Sequence, residues 1–297
     1  MVLKAPPAVP NGVAFVSGSY LRILIDDICY PVAGAQNCMS NGRVFDFTGL
    51  CEALRRAYRK YGLPKRKLLL VVNDVTETDQ LFDTQPVSLE MLNQAAGEIF
   101  SGNSYGENAV YQFFKMSENK SLGTSRMLVS MLDSSLCGAF VAAFRRVGVT
   151  VTSSSTLIGS LSRYLQLNKR MEQTENQICL FYLPNAVTAV FMIGGQVAYV
   201  AQNTLPYADR NFDVRRETAH LLGMISQYAE RAGVVEPVAL LLTGGIDRTH
   251  VREAQKCATQ ILRDLAHTSR IGVFGGSHFK RPTVANLGFG YTENRTK

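Results

Sequence analysis

The sequence predicts an α/β chain of two related domains that face each other across a cleft, with a small subdomain inserted in the first. Three observations carry that prediction. Short apolar runs such as Leu68–Val72 alternate with amphipathic segments, the pattern of buried strands joined by crossover helices. The order of elements that begins near residue 13, three strands, a helix and a strand, recurs from residue 178. Between these halves, residues 73–147 hold strands and helices of their own, separated by stretches rich in Gly, Asn and Ser. The expected boundaries are 1–72 for the first half of domain 1, 73–147 for an inserted α+β subdomain, 148–175 for the return helix and link, and 176–297 for domain 2.

The elements follow in order. Val13–Val16, the small residues Ser17-Gly18-Ser19 and Tyr20–Ile25 read as strand, tight turn and strand. A third strand is expected over Ile28–Val32. Leu50, Leu54, Ala57, Tyr58 and Tyr61 share one face of a helix over 48–61, which Gly62 ends and Pro64 keeps from continuing. In the inserted block, Ser88 caps a helix to about Phe100. Strands are expected at Ala109–Lys115 and Arg126–Leu132, and Asp133 or Ser134 opens a helix to Val147. Val149-Thr150-Val151 and Ser153-Ser154-Ser155 lead into a helix over 156–167, and 169–176 is a polar link. Strands at 178–183, 186–193 and 196–202 follow, with Gly194-Gly195 turning the last pair. A helix over 213–232, a strand over 238–242, a helix over 248–266 and terminal strands at 271–274 and 284–289 complete the reading.

Composition excludes several classes. With 46% hydrophobic and 19% charged residues, the 297-residue chain has the material for a real core. Six cysteines without a CxxC pair, and four histidines without HExxH, argue against structural zinc or a disulfide framework. The N-terminus has no apolar signal-peptide core. Residues 176–208 carry no charge, but polar residues, Pro184 and a Gly-Gly turn interrupt them, so they read as buried sheet and no transmembrane segment is expected. Of the net charge of +7, much is local: eight basic residues lie between Arg43 and Lys67. Such a run (Arg55, Arg56, Arg59, Lys60, Lys65, Arg66, Lys67) suits a solvated helix face, an anionic membrane or an acidic partner. Nucleic acid is not expected, since Tyr58 and Tyr61 fall at core spacing rather than as stacking platforms.

Single residues offer little conventional chemistry. Asp26-Asp27 and Asp74 follow buried strands, where α/β sites gather, but nothing pairs them for acid–base work. Asp247 and His250 read as helix-start residues, His220 as an ordinary helix histidine, and Cys137 and Cys179 as packed thiols. Gly244-Gly245 after a buried strand suits close approach to a nucleotide or simply a strand-to-helix turn.

Three stretches carry a family likeness: residues 126–167, ENQICLFYLPNAVTAVFMIGGQVAYVAQNTLPYA at 175–208, and VALLLTGGID at 238–247. Together they resemble the actin-like ATPase superfamily and, within it, the PilM-like proteins of type IV pilus systems, relatives of FtsA and of the cytoplasmic part of the type II secretion L protein. The resemblance implies duplicated ribonuclease-H-like βββαβα domains. It also implies a scaffold at the inner face of a membrane that binds the short cytosolic tail of a membrane partner, self-associates and works beside a pilus or secretion ATPase. It places a degenerate nucleotide site at Ser17, Gly18, Ser19, Gly244 and Gly245. Active members carry an acidic, glycine-containing DxGxxS-type turn in both hairpins, whose aspartates hold Mg²⁺. Here those aspartate positions fall on Phe15 and Phe181, and the glycines on Ser17 and Leu183, with Pro184 beside the latter. The expectation is therefore a non-enzyme without cofactor or metal, the alternatives being ATP with Mg²⁺ on displaced acids, or a basic surface for DNA or anionic membrane.

Overall fold

The computed structural model describes residues 12–25, 28–73, 79–102, 108–167, 176–183, 186–204, 213–234 and 239–244. The expected elements beyond 244 and the link at 168–175 lie outside them.

The first sheet is built from β1 (Gly12–Ser17), β2 (Tyr20–Ile25), β3 (Ile28–Pro31), β6 (Leu68–Asn73) and β10 (Val151–Thr156), in the order β10-β6-β1-β2-β3. β1, β6 and β10 are parallel and β2 is antiparallel to β1. A short β4–β5 hairpin (Met39–Ser40, Arg43–Val44) precedes α1 (Phe47–Tyr61). Asp46 accepts a bond from the Gly49 N–H at one end of α1, and Gly62 closes the other in the left-handed conformation, φ 60°.

A second sheet has the order β13-β12-β11-β14, from β11 (Asn176–Leu183), β12 (Ala186–Ile193), β13 (Gln196–Thr204) and β14 (Ala239–Gly244). Here too the first three strands are antiparallel in sequence, and the fourth runs parallel to the first. The arrangement around β11 thus repeats that around β1. A third, antiparallel sheet has the order β7-β9-β8, from β7 (Asp79–Thr84), β8 (Ala109–Asn119) and β9 (Thr124–Asp133). Helix α2 (Leu89–Ile99), capped by Ser88 as expected, covers it through Ala96, with Phe100, Val129 and Met131 in the same cluster.

Period-2 alternation assigns the cores. On the first sheet, Ala14, Val16, Leu68, Leu70 and Val72 face α1 and α3 (Ser134–Arg146). Ile178, Leu180 and Tyr182 face α5 (Val214–Arg231) on the second. The opposite faces, Val13, Phe15, Leu69 and Val71 from one sheet and Cys179, Phe181, Val190 and Met192 from the other, share one cluster with Leu157, Ile158 and Leu161 of α4 (Leu157–Leu167) and Phe114 of β8. Both sheets and the third one therefore close on the same helix.

Three local readings change. β7 is a strand in a stretch that carries no strand signal. The Ser153–Ser155 run, to which sequence alone assigns no element, lies inside β10, because parallel pairing with β6 supplies the main-chain bonds that serines do not favour on their own. And α3, read as part of the inserted block, packs beside α1 in the first sheet's outer core through Leu136, Phe140 and Phe144.

Candidate functional site

The turn that the nucleotide reading singles out is packed shut. Ser17 is buried at the end of β1 and accepts a bond from Asn73 Nδ2 at 3.0 Å. Gly18 takes φ 58°, and its carbonyl accepts the Gly42 N–H at 2.7 Å, so the β4–β5 hairpin covers it. Ser19 is half-buried beside it. The other buried atom at this end, Asn73 Oδ1, has no partner and is an acceptor, the wrong sign for a phosphate oxygen.

Phe15 and Phe181 are 2% and 1% exposed and belong to one apolar cluster. A hydrated Mg²⁺ needs oxygen ligands and room for water. Two phenyl rings in a packed core give neither, so the residues present at these positions do not fit the metal. Gly244 ends β14 opposite Tyr182, while Gly245, Pro184, Asp26, Asp27, Asp74, Asp247 and His250 lie outside the described residues. Cys137 and Cys179 are buried as expected, and burial pushes the Cys179 thiol well above its ordinary range. No group of three or more potential metal ligands occurs among the described residues.

The open cavity lies elsewhere, between the third and second sheets, with a volume of about 480 Å³. Residues 79–83 of β7 and 198–203 of β13 line it. Each is an edge strand of its sheet among the described strands. Consecutive residues, rather than alternate ones, line the trough, so it exposes strand edges and not merely a strand face. Its far wall is α5, through His220, Met224 and Tyr228.

One side-chain chain spans the trough. Asp83 of β7 accepts two bonds from Arg126 of β9, from Nε and Nη2, each at 2.9 Å. Arg126 Nη1 then donates to the Tyr228 hydroxyl of α5 at 3.2 Å. Tyr228 stacks on Tyr199 of β13 with centroids 5.0 Å apart and meets Phe191 edge-on. The paired guanidinium holds the Asp83 carboxyl below its ordinary range. Asp83 and Arg126 also line a second cavity of about 580 Å³ that reaches the β8–β9 turn, so the pair stands where the two spaces meet.

Below them, Asp79 accepts from the Ser130 hydroxyl and, at 2.6 Å, from Thr156 Oγ1. Thr156 in turn accepts the Gly159 N–H at 2.9 Å, capping α4. The network fixes β7 to the helix on which all three sheets close. Sequence reading missed this site because its residues lie on four elements scattered between 79 and 228. By sequence alone Arg126 is an ordinary strand residue, His220 an ordinary helix residue, and 79–84 a stretch with no expected element. No local pattern marks β7, since its apolar residues Leu81 and Phe82 are adjacent and the strand does not alternate.

No protein-family model and no curated protein sequence matches the chain. Solved structures do. The structure described as the PilM-PilN type IV pilus biogenesis complex matches with a TM-score of 0.60 at 14% identity, over 96% of this chain and 98% of that one. A Bacteroides thetaiotaomicron protein with actin-like ATPase fold and unknown function matches with a TM-score of 0.50 at 12% identity, over 87% and 92%. The fold is accordingly that of the actin-like ATPases, in the version found in the PilM-PilN structure.

Proposed function

We propose that this chain is a non-catalytic scaffold that captures an extended peptide tail from a membrane-anchored partner in a pilus- or secretion-type assembly. The observation that carries the reading is the trough floored by two strand edges, β7 and β13. An edge offers unpaired N–H and C=O groups to an incoming strand, and side-chain pockets beside it select the sequence. β7 and β13 approach to within 8 Å between Cα atoms. Two gaps of ~4.8 Å are needed to seat a strand between two others, so the guest pairs with one edge or lies across both. The trough joins the inserted block to the second sheet.

The domains are read as two ribonuclease-H-like βββαβα units. The packing of α3 favours ending the inserted unit near Asp133 rather than 147. Catalysis by the superfamily's route is not expected, because Phe15 and Phe181 stand in the central core at the Mg²⁺-ligand positions. Ser17 and Gly244 are then strand ends and Gly18 and Ser19 a hairpin turn, with no cofactor. The location that follows is cytoplasmic, held at the inner membrane by the partner, with self-association raising affinity through avidity. Fold likeness to the PilM-PilN structure supports the choice of partner class.

Calorimetric titration with the partner's synthetic tail peptide, and separately with ATP and Mg²⁺, tests the reading. Saturable peptide binding without ATP hydrolysis is expected. Mg²⁺-dependent turnover of ATP, or a tail that binds equally well after Arg126→Ala, overturns it.

A further inference from the structure

The basic run near residue 60 does not stand alone. α1 and α3 each precede a strand of the same parallel pair, β6 and β10, and they pack side by side. Helices so placed run parallel, and both end at the edge of the sheet where Leu68 pairs with Gly12 and Val151. The last turn of α1 holds Arg59 and Lys60; that of α3 holds Arg145 and Arg146. Cys51 of α1 shares a core cluster with Phe140, Ala143 and Phe144 of α3, so the two helices are neighbours. The connection to β6 adds Lys65, Arg66 and Lys67 at the same end, and the Lys65 ammonium lies over Gly148 after α3.

Helix dipoles account for basic residues in a last turn. They do not account for Arg55 or for the three in the connection. Residues 53–73 and 134–150 contain no acid at all. Glu52, at 3.8 Å from Arg56, is the nearest counter-charge on α1. Among the described residues, Arg55, Arg59, Arg145 and Arg146 form no ion pair. All four are exposed.

The structure assigns this α1–α3 face to direct docking on an anionic lipid bilayer. A broad, one-signed surface of two parallel helices matches a plane of phosphate headgroups. Duplex DNA is the poorer fit, because among the described residues this face is two helices packed on a sheet rather than a projecting reading element. The tyrosines of α1 are also turned away: Tyr58 is buried and Tyr61 lies against Tyr30 with centroids 5.3 Å apart. The surface shares no residue with the β7–β13 trough, so it goes beyond peptide capture and does not depend on it.

Co-sedimentation of the full chain with phosphatidylglycerol or phosphatidylcholine vesicles tests the assignment. Binding to phosphatidylglycerol alone, weakening as salt rises, is expected. Each neutralised basic residue is expected to weaken it about fivefold. The quadruple variant Arg55→Gln, Arg59→Gln, Arg145→Gln, Arg146→Gln is therefore expected to stay in solution with its thermal midpoint unchanged. The matching Arg→Lys variant is expected to keep binding. Equal binding to both vesicles, no binding to either, binding that survives the quadruple variant, or patch-dependent binding to duplex DNA tighter than to vesicles would each overturn it.

Discussion

The centre of the molecule and its edges treat the backbone in opposite ways. β1 and β11 lie inside their sheets, paired on both sides, and their inward residues Phe15 and Phe181 disappear into a common core. β7 and β13 are paired on one side among the described strands and line a trough of mixed polar and apolar residues with consecutive positions. In an actin-like fold the ends of the central strands are where a nucleotide would be held. Among the described residues, Phe15 and Phe181 fill that ground with a packed core, and the accessible strand edges are at the margins. Under the proposed peptide capture, recognition lies at the sheet edge while the central packing is kept.

The largest expected effect tests the sealed centre. Phe15→Ala or Phe181→Ala should cost about 3–5 kcal/mol in denaturant unfolding, as removing a fully buried ring does. Phe15→Asp should cost at least as much, since it adds a buried carboxylate without a partner. A folded Phe15→Asp chain that binds Mg²⁺-ATP would break the comparison. Next comes the clamp at the trough. Arg126→Ala is expected to weaken tail-peptide binding about tenfold, equivalent to ~1.4 kcal/mol, in calorimetric titration. Its cost in stability should be about 1–2 kcal/mol, kept modest by the exposure of Asp83.

Acid should separate the regions further. The Arg126 guanidinium holds Asp83 below its ordinary range. Burial opposes ionisation of Asp133, but the Ser135 hydroxyl, the N–H groups of Leu136 and Ser135, and Arg43 outweigh it and hold that carboxyl low as well. A group with a lowered folded pKa contributes stability that is complete above its unfolded pKa and is lost as pH falls through the folded one. Thermal midpoints should therefore decline below about pH 4. Asp83→Asn and Asp133→Asn should each flatten that decline, whereas Phe181→Leu should leave its slope unchanged. Asp133→Ala also removes the α3 cap and is expected to cost about 1 kcal/mol at neutral pH. Tyr228→Phe is the smallest change. It deletes one 3.2 Å bond to Arg126 and should sit at the low end of ~0.5–1.5 kcal/mol by chemical unfolding.

Where the local signal is strong, the sequence and the structure coincide. Ser17-Gly18-Ser19 turns a hairpin, Gly62 ends α1, Ser88 and Asp133 cap their helices, and Gly194-Gly195 joins β12 to β13. These depend on neighbours in the chain, so the letters carry them. The burial of Phe15 and Phe181 was legible for the same reason, as apolar residues in apolar strands. β7 was not. Asp79, Gln80, Asp83 and Thr84 resemble a loop, and they form a strand only because β9 arrives some fifty residues later to pair with them. The trough was hidden because β7 and the Asp83–Arg126–Tyr228 chain have no signature at short range, although β13 was legible from its hairpin turn.

That long reach has a consequence for biogenesis. β7 leaves the ribosome more than a hundred residues before β13, and Tyr228 follows later still. No fragment ending before residue 196 holds both walls of the trough. Under the proposed peptide capture, a product that ends before residue 196 lacks one wall and would not compete for the tail.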